Sequence, residues 1–239
     1  MESLMNQSRW RTVAASLLLA GVVAGCGSDD APRPDAGGAA PLPAAAAQPV
    51  ASSRPRVVFL GDSLTAGLGL SQAQAFPSVI GERLQREGID AEVVNAGISG
   101  DTAAGGRRRL DWALDGDVRV LVLALGANDG LRGSPVASMK ENLQAIIRDA
   151  KGRGITVLLL GMEAPPNFGP EYTAEFRQAF RDLADGEDVE FIPFFLNGVA
   201  GVSALNQADG LHPNAEGATR VADNVWKALE PLVAQAAAR

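Results

Sequence analysis

The chain reads Val57-Val58-Phe59-Leu60-Gly61-Asp62-Ser63-Leu64 at the point that decides the fold, where an apolar run passes directly into a polar turn. An unbroken apolar run of this length is typical of a strand that is covered on both faces, as strands of parallel sheets are. The turn would then lie at the carboxyl end of that strand, where open α/β sheets bind their ligands. Ser63 is therefore a candidate functional residue.

Four more short apolar runs follow, separated by segments of helical period. The predicted strands are 57–60, the residues around 93–94, 118–125, 155–160 and 189–194. Alternating strands and helices predict a parallel sheet with right-handed crossovers. The expected fold is a three-layer α/β/α domain with a five-stranded parallel sheet in the flavodoxin-like order 2-1-3-4-5.

Three helices have a clear apolar face. In the first, Ser134 is expected to cap the amino end, Pro135 to lie in the first turn and Gly152 to end the helix. Its apolar face comprises Val136, Met139, Leu143, Ile146, Ile147 and Ala150. The other two faces comprise Phe176, Phe180 and Leu183, and then Val221, Val225, Leu229 and Leu232.

Polar residues follow four of the predicted strands. These loops contain the segments 61–64, 95–101, 126–129 and 209–212. Because the carboxyl ends of parallel strands share one edge of the sheet, and the first three strands are neighbours in the expected order, Ser63, Gly100 and Asn128 should converge.

The residue types in these loops fit acyl transfer. A serine hydroxyl needs a base to become a nucleophile, and His212 is the chain's only histidine. Asp209 is close enough in sequence to orient that imidazole and stabilise its charged form. Backbone N–H groups of Ser63 and Gly100 and the Asn128 amide could stabilise the oxyanion. Each signal alone has an ordinary structural explanation in a turn, but four at strand ends indicate a site.

These blocks resemble the SGNH, or GDSL, hydrolase superfamily over nearly everything after residue 55. The matching segments are Gly61-Asp62-Ser63-Leu64 with Gly67, then 95–100, Gly126-Ala127-Asn128-Asp129, and 209–214. The resemblance implies the SGNH hydrolase fold, Ser63 as nucleophile, Asp209 and His212 as its triad partners, Gly100 and Asn128 as oxyanion donors, and no cofactor or metal.

The chain is most similar to the bacterial thioesterase, arylesterase and lysophospholipase branch. That similarity includes the segments 128–133 and 165–169, and Ala127 departs from it where the branch often has glycine. It implies a serine esterase acting on small acyl esters, thioesters or lysophospholipids. It also implies that the segment 162–172, with Phe168 and Tyr172, is a substrate loop, although its aromatics could equally complete the core.

The first 55 residues have the composition of an export signal and a linker. Arg9 and Arg11 precede an uncharged run that ends at Cys26, and this resembles the lipobox of bacterial lipoproteins. We therefore expect a signal peptide at 1–25, a lipidated Cys26 with a Pro-rich tether at 26–55, and the hydrolase domain at 56–239. A secretory signal with an incidental or buried thiol is the alternative.

Charge narrows the partners. The chain carries a net charge of −7, and loss of residues 1–25 would leave 19 basic and 27 acidic residues, or −8. This balance argues against nucleic acid and against electrostatic binding to anionic lipid, so any membrane contact would be through the anchor. The run Arg107-Arg108-Arg109 reads as a solvated helix face. We expect a monomer in the cell envelope facing the periplasm, and Gly27 after Cys26 suggests the outer membrane.

Other functions fit parts of the pattern. A carbohydrate or cell-envelope O-acetyl esterase would use the same five residues on a shorter acyl group. A non-catalytic ligand-binding lipoprotein could keep the fold, and doubly wound sheets also bind nucleotides or flavin at this edge. Against nucleotide binding, the chain has neither a complete G-x-G-x-x-G turn nor a phosphate-loop motif.

Overall fold

A computed structural model describes residues 54–238. Its five strands are β1 (Arg56–Gly61), β2 (Glu92–Gly97), β3 (Val118–Ala124), β4 (Thr156–Leu160) and β5 (Glu190–Ile192). Its helices are α1 (Ser63–Ala66), α2 (Phe76–Arg86), α3 (Ala103–Arg108), α4 (Leu110–Ala113), α5 (Ala127–Leu131), α6 (Val136–Gly152), α7 (Pro170–Glu187) and α8 (Ala215–Ala237). Short 3₁₀ turns lie at Gln72–Gln74, Pro166–Phe168 and Ser203–Leu205.

The strands form one parallel sheet in the order β2-β1-β3-β4-β5, which confirms the predicted topology. Strand side chains alternate between two buried clusters, as a sheet covered on both faces requires. On one face Leu121 and Leu123 pack with side chains of α3, α4, α6 and α7. On the other, Val120 and Val122 pack with α2 and α8. The molecule therefore has the expected three layers.

Two details of the predicted elements were wrong. Ser134 does not cap α6. The residue that flanks the amino end of this helix is Pro135, and no side chain caps that end. The Ser134 carbonyl instead accepts a hydrogen bond from the Tyr172 hydroxyl. β5 has three residues rather than six, because the chain turns away at Pro193. On α8 the predicted apolar face packs against the core, with Leu232 half-buried and Val233 buried beside it.

The helix that begins at Ser63 lies directly against β2. A Cβ atom on Gly97 would come within 2.3 Å of the Ala66 backbone nitrogen, so this position has no room for a side chain. The Asn95 amide also donates to the Thr65 carbonyl at 2.8 Å, near the carboxyl end of α1. The helix that follows β1 is therefore packed closely against the end of β2.

No helix among residues 54–238 is long and apolar enough to cross a membrane. The predicted signal peptide, Cys26 and the tether up to residue 53 lie outside the described residues.

Candidate active site

Ser63 is the first residue of α1 and lies two residues after Gly61, the end of β1. The preceding residue, Asp62, caps this helix by accepting a hydrogen bond from the Leu64 N–H at 3.0 Å. The helix ends after one turn at Gly67, whose φ of +73° is a left-handed conformation that favours glycine. The short helix holds the half-buried Ser63 side chain at the carboxyl edge of the sheet.

His212 and Asp209 extend from Ser63 as a chain of hydrogen bonds. The Ser63 Oγ lies 2.9 Å from His212 Nε2, and His212 Nδ1 lies 2.7 Å from Asp209 Oδ2. An ionised carboxylate can only accept, so Nδ1 carries a proton and Nε2 of the neutral ring is free to accept one. The structure therefore brings together the three residues predicted to form a triad.

Hydrogen bonds keep the Asp209 carboxylate ionised. The backbone N–H of His212, then its side chain and the backbone N–H of Leu211, lower the pKa of Asp209 to about 2. The two backbone bonds are 3.0 and 2.9 Å long and both end on Oδ1, which leaves Oδ2 for the imidazole. Asp209 is exposed, so these local bonds rather than burial set its charge state.

The loop that bears His212 is closed on itself and attached to the loop after α1. An isolated antiparallel bridge pairs Asn206 with Pro213, and the Gln207 N–H donates to the His212 carbonyl at 2.8 Å. The Gln207 amide then donates to the carbonyls of Leu68 at 2.7 Å and Pro213 at 2.9 Å. Gln207 therefore links the histidine loop to the loop that follows Ser63.

Asn128 and Gly100 lie on the two neighbouring loops. Asn128 is in the first turn of α5, and its amide donates to the Asp101 carbonyl at 3.0 Å and contacts Asp62 Oδ2 at 3.4 Å. Gly100 has a φ of +83°, and its carbonyl accepts from Arg132 at 3.0 Å. Within residues 54–238 no acceptor takes a hydrogen bond from the backbone N–H of Ser63 or Gly100. Both N–H groups can donate to a bound oxygen.

Asp62 is a buried carboxyl to which the sequence pattern assigned no function. The residue is 1% exposed, and this burial raises its pKa to about 6 against the lowering effect of the Leu64 N–H. Its two oxygens face Leu64 N and Asn128 Nδ2. Its position directly before Ser63 is the only feature of the sequence that points to a role for Asp62. The sequence does not show that the side chain is buried.

Apolar side chains surround this edge of the sheet. Within residues 54–238, seven large apolar side chains are well exposed: four are within five residues of a site residue in the sequence, a fifth is in the predicted substrate loop, and the other two are Trp112 and Val202. We call the five the apolar rim: Leu68, Ile98, Leu131, Phe168 and Leu211. A small cleft beside Ser63 and His212 is also lined by apolar groups, among them Leu64 and Phe76. The site can therefore contact an apolar ligand on several sides.

The predicted substrate loop is divided between rim and core. Phe168 is exposed and lies against Gly133, just after α5. Tyr172 is half-buried and packs between Phe168 and the core residue Phe176, with ring centroids 5.3 and 6.2 Å away. Of the two aromatics, Phe168 alone is well exposed at the rim.

Residues 54–238 contain no cluster of three His, Cys, Asp or Glu side chains that could hold a metal ion. Cys26, the predicted lipidation site, lies outside the described residues.

Fold and site define a class: α/β/α hydrolases that carry serine, histidine and aspartate at the carboxyl edge of a parallel sheet. Comparison with known proteins specifies the family. The model of the GDSL-like lipase/acylhydrolase family matches residues 59–220. The chain belongs to this family, and the match covers all the site residues from Ser63 to His212.

Similar proteins are esterases by name. The chain is 44% identical over 178 residues to Esterase TesA of Pseudomonas aeruginosa, covering 74% of this chain and 89% of that one. It is 36% identical over 184 residues to Thioesterase 1/protease 1/lysophospholipase L1 of Escherichia coli K12, covering 77% and 87%. The crystal structure of a psychrotrophic esterase EstA from Pseudoalteromonas sp., inhibited by monoethylphosphonate, superimposes with a TM-score of 0.71 at 33% identity, covering 74% and 97%. The chain is therefore an ester hydrolase of the SGNH type.

Burial of Asp62 predicts a pH-dependent difference in stability between the wild type and Asp62→Asn. The folded protein binds this proton more tightly than the unfolded chain, so the wild type loses stability as pH rises from 3.8 through about 6. Asparagine cannot ionise and can still cap α1. The free energy of unfolding of Asp62→Asn, measured with denaturant, should therefore increase relative to that of the wild type as pH rises across this range, by at most about 3 kcal/mol.

The exposed Asp185 gives the matched control, and Asp185→Asn should show no such trend. A difference between Asp62→Asn and the wild type that stays constant from pH 4 to pH 7 would contradict the buried, titrating carboxyl.

Proposed function

We propose that this protein hydrolyses carboxylic ester or thioester bonds of apolar acyl substrates through an acyl-enzyme on Ser63, with His212 and Asp209 as the other members of a catalytic triad. The observation that carries the proposal is the continuous hydrogen-bonded chain from Ser63 Oγ through His212 to Asp209, with bonds of 2.9 and 2.7 Å. Such a chain activates a hydroxyl that is otherwise a weak nucleophile at neutral pH.

In the acylation step, Ser63 Oγ attacks the carbonyl carbon while His212 Nε2 takes its proton. The N–H groups of Ser63 and Gly100 and the Asn128 amide stabilise the oxygen that becomes negative. As the tetrahedral intermediate collapses, the bond to the alcohol or thiol breaks and His212 returns the proton to that leaving group. Water then attacks the acyl-enzyme by the same route, releasing the acid and restoring Ser63.

The charge state of Asp209 supports its part in this cycle. Because its pKa is about 2, it is ionised at any pH at which an esterase works. It can therefore hold the Nδ1 proton and stabilise the imidazolium that forms when His212 accepts the serine proton. Protonation of Asp209 does not limit the reaction above about pH 3.

Removal of the nucleophile or the base tests the mechanism. Ser63→Ala and His212→Ala should each lower kcat on p-nitrophenyl esters by at least about 10⁴-fold, because the triad acts as a unit. A phosphonate should label Ser63 of the wild type, as expected for a relative of an esterase inhibited by monoethylphosphonate. His212 has no substitute because the chain has no second histidine, so near-normal turnover in either variant refutes the triad.

The apolar rim supports a medium-length or aromatic acyl substrate over acetate. Each methylene that is buried on the rim contributes up to about 0.8 kcal/mol to transition-state binding. We expect kcat/KM for p-nitrophenyl octanoate to exceed that for the acetate by at least about tenfold. Phe168→Ser should reduce this ratio, whereas Trp112→Ser, which alters an exposed side chain off the rim, should leave it unchanged. Preference for acetate would instead favour the O-acetyl esterase.

We further propose that the protein is a lipoprotein of the cell envelope, with a signal peptide at 1–25, lipid on Cys26, a tether to residue 55 and the catalytic domain from 56 onward facing the periplasm. The support is the position of the chain's sole cysteine after an uncharged run and small residues. At roughly 3 Å per residue, the tether would place the domain tens of ångströms from the membrane.

Metabolic labelling tests the anchor. In a bacterial host, radioactive palmitate should be incorporated into the full chain, and Cys26→Ser should abolish incorporation while esterase activity persists. A labelled Cys26→Ser protein, or an unlabelled wild type that fractionates as soluble, would overturn the assignment. Density fractionation of the membranes then distinguishes the outer membrane, suggested by Gly27, from the inner one.

A further inference from the structure

Arg109 occupies an unexpected position at the carboxyl edge of the sheet. The run Arg107-Arg108-Arg109 was predicted to be a solvated face, and this is correct for Arg107 and Arg108, which are exposed. It is wrong for Arg109, whose side chain is 14% exposed and pairs with Asp101, also 14% exposed. Arg109 is the single residue between α3 and α4, whereas Arg107 and Arg108 belong to α3.

All three kinds of nitrogen in its guanidinium donate to acceptors near the site. Nε donates to Asp101 Oδ2 at 2.6 Å, Nη1 to the Ala96 carbonyl at 2.7 Å and Nη2 to the Gly61 carbonyl at 2.9 Å. Gly61 is the last residue of β1, Ala96 lies at the end of β2 and Asp101 follows Gly100. One planar cation therefore joins two strand ends and the loop between β2 and α3.

Two of these acceptors are close in the chain to an oxyanion donor. Gly61 is two residues before Ser63, and Asp101 directly follows Gly100. The Asp101 backbone carbonyl also accepts the hydrogen bond from the Asn128 amide at 3.0 Å. Each of the three groups proposed to stabilise the oxyanion is thus connected to an acceptor of the guanidinium, either within two residues along the chain or by one hydrogen bond.

The chemistry of these bonds favours rigidity. Hydrogen bonds from a charged donor are about twice as strong as neutral ones, and a guanidinium presents its donors in a fixed plane. Lysine could keep the charge and reach one acceptor, but it could not hold three in a set geometry. Since a misplacement of about 1 Å can cost about 10²-fold in rate, a residue that fixes three loops has a direct effect on turnover.

We propose that Arg109 is a positioning residue that sets the geometry of the oxyanion hole by holding the ends of β1 and β2 and the Gly100–Asp101 loop together. The proposal rests on the proposed function of Ser63, Gly100 and Asn128. It predicts that Arg109 acts on transition-state stabilisation rather than on binding of the acyl chain, whose contacts lie on the apolar rim.

Arg109→Lys tests this with Arg108→Gln as the matched control on the exposed neighbour. Arg109→Lys should lower kcat on p-nitrophenyl octanoate by about 10- to 100-fold with KM changed by less than about threefold, and slow phosphonate labelling of Ser63 in parallel. Arg108→Gln should stay within about twofold of the wild type in both assays. Unchanged kcat and labelling in Arg109→Lys would overturn the proposal.

A double-mutant cycle with Asn128→Ala separates positioning from a general structural effect. Asn128→Ala should itself cost about 10²- to 10³-fold in kcat. If Arg109 acts through the oxyanion hole, Arg109→Lys should cost clearly less in that background than in the wild type, because one of the three donors that it positions is already absent. The same full loss in both backgrounds would show an independent effect and refute the proposal.

Two further measurements keep the result interpretable. If thermal unfolding shows that Arg109→Lys does not fold, Asp101→Asn weakens the same guanidinium contact and should give a smaller, kcat-specific loss; normal kcat in that folded variant would count against the proposal. Failure of the proposed function looks different, because the phosphonate would then leave Ser63 of the wild type unlabelled.

Discussion

Parallel pairing of β1 with both of its neighbours is the constraint on which the site depends. Gly61, the last residue of β1, is in register with Gly97 at the end of β2 and with Ala124 at the end of β3. The three strands therefore end at the same level, and the three loops begin side by side. Loops of two to four residues then suffice to bring Ser63, Gly100 and Asn128 to one place. The absence of a side chain at Gly97 lets α1 lie close against the end of β2.

The two aspartates beside the reacting groups have opposite environments. Burial raises the pKa of Asp62, which lies beneath the serine helix, whereas backbone and imidazole hydrogen bonds lower the pKa of the exposed Asp209. An ionised group is needed where an imidazolium forms, and Asp209 satisfies that need in contact with solvent at no large desolvation cost. Asp62 instead caps α1 and faces the Asn128 amide, so its work is structural support of the nucleophile and its neighbour.

Sequence predicted what depends on local pattern. The apolar runs located all five strands, and their alternation with helices indicated a parallel sheet, whose order was taken from the flavodoxin-like fold. Polar residues at strand ends located Ser63, Gly100 and Asn128, and the chain's single histidine with its neighbouring aspartate located His212 and Asp209. Details that depend on distant partners were missed. Nothing in the run Arg107-Arg108-Arg109 shows that the last side chain meets carbonyls 13 and 48 residues away. Ser134 is likewise of a residue type that often caps helices, but α6 begins at Val136, so Pro135 and not Ser134 flanks its amino end.

The contact between Ser63 and His212 spans 149 residues of sequence, yet most of what supports it is local. Asp209 and His212 are three residues apart in a loop that the pairing of Asn206 with Pro213 closes, so their mutual geometry depends little on the rest of the fold. What remains to be fixed is the position of that loop against α1. Gln207 does this, because its amide holds the carbonyls of both Leu68 and Pro213. Gly69 leaves room for it, since a Cβ there would lie 2.2 Å from the Gln207 side chain. Because the loop already holds His212 and Asp209 in their mutual geometry, contacts through Gln207 are enough to place the base beside Ser63. A short segment far along the chain can therefore complete the site that starts after β1.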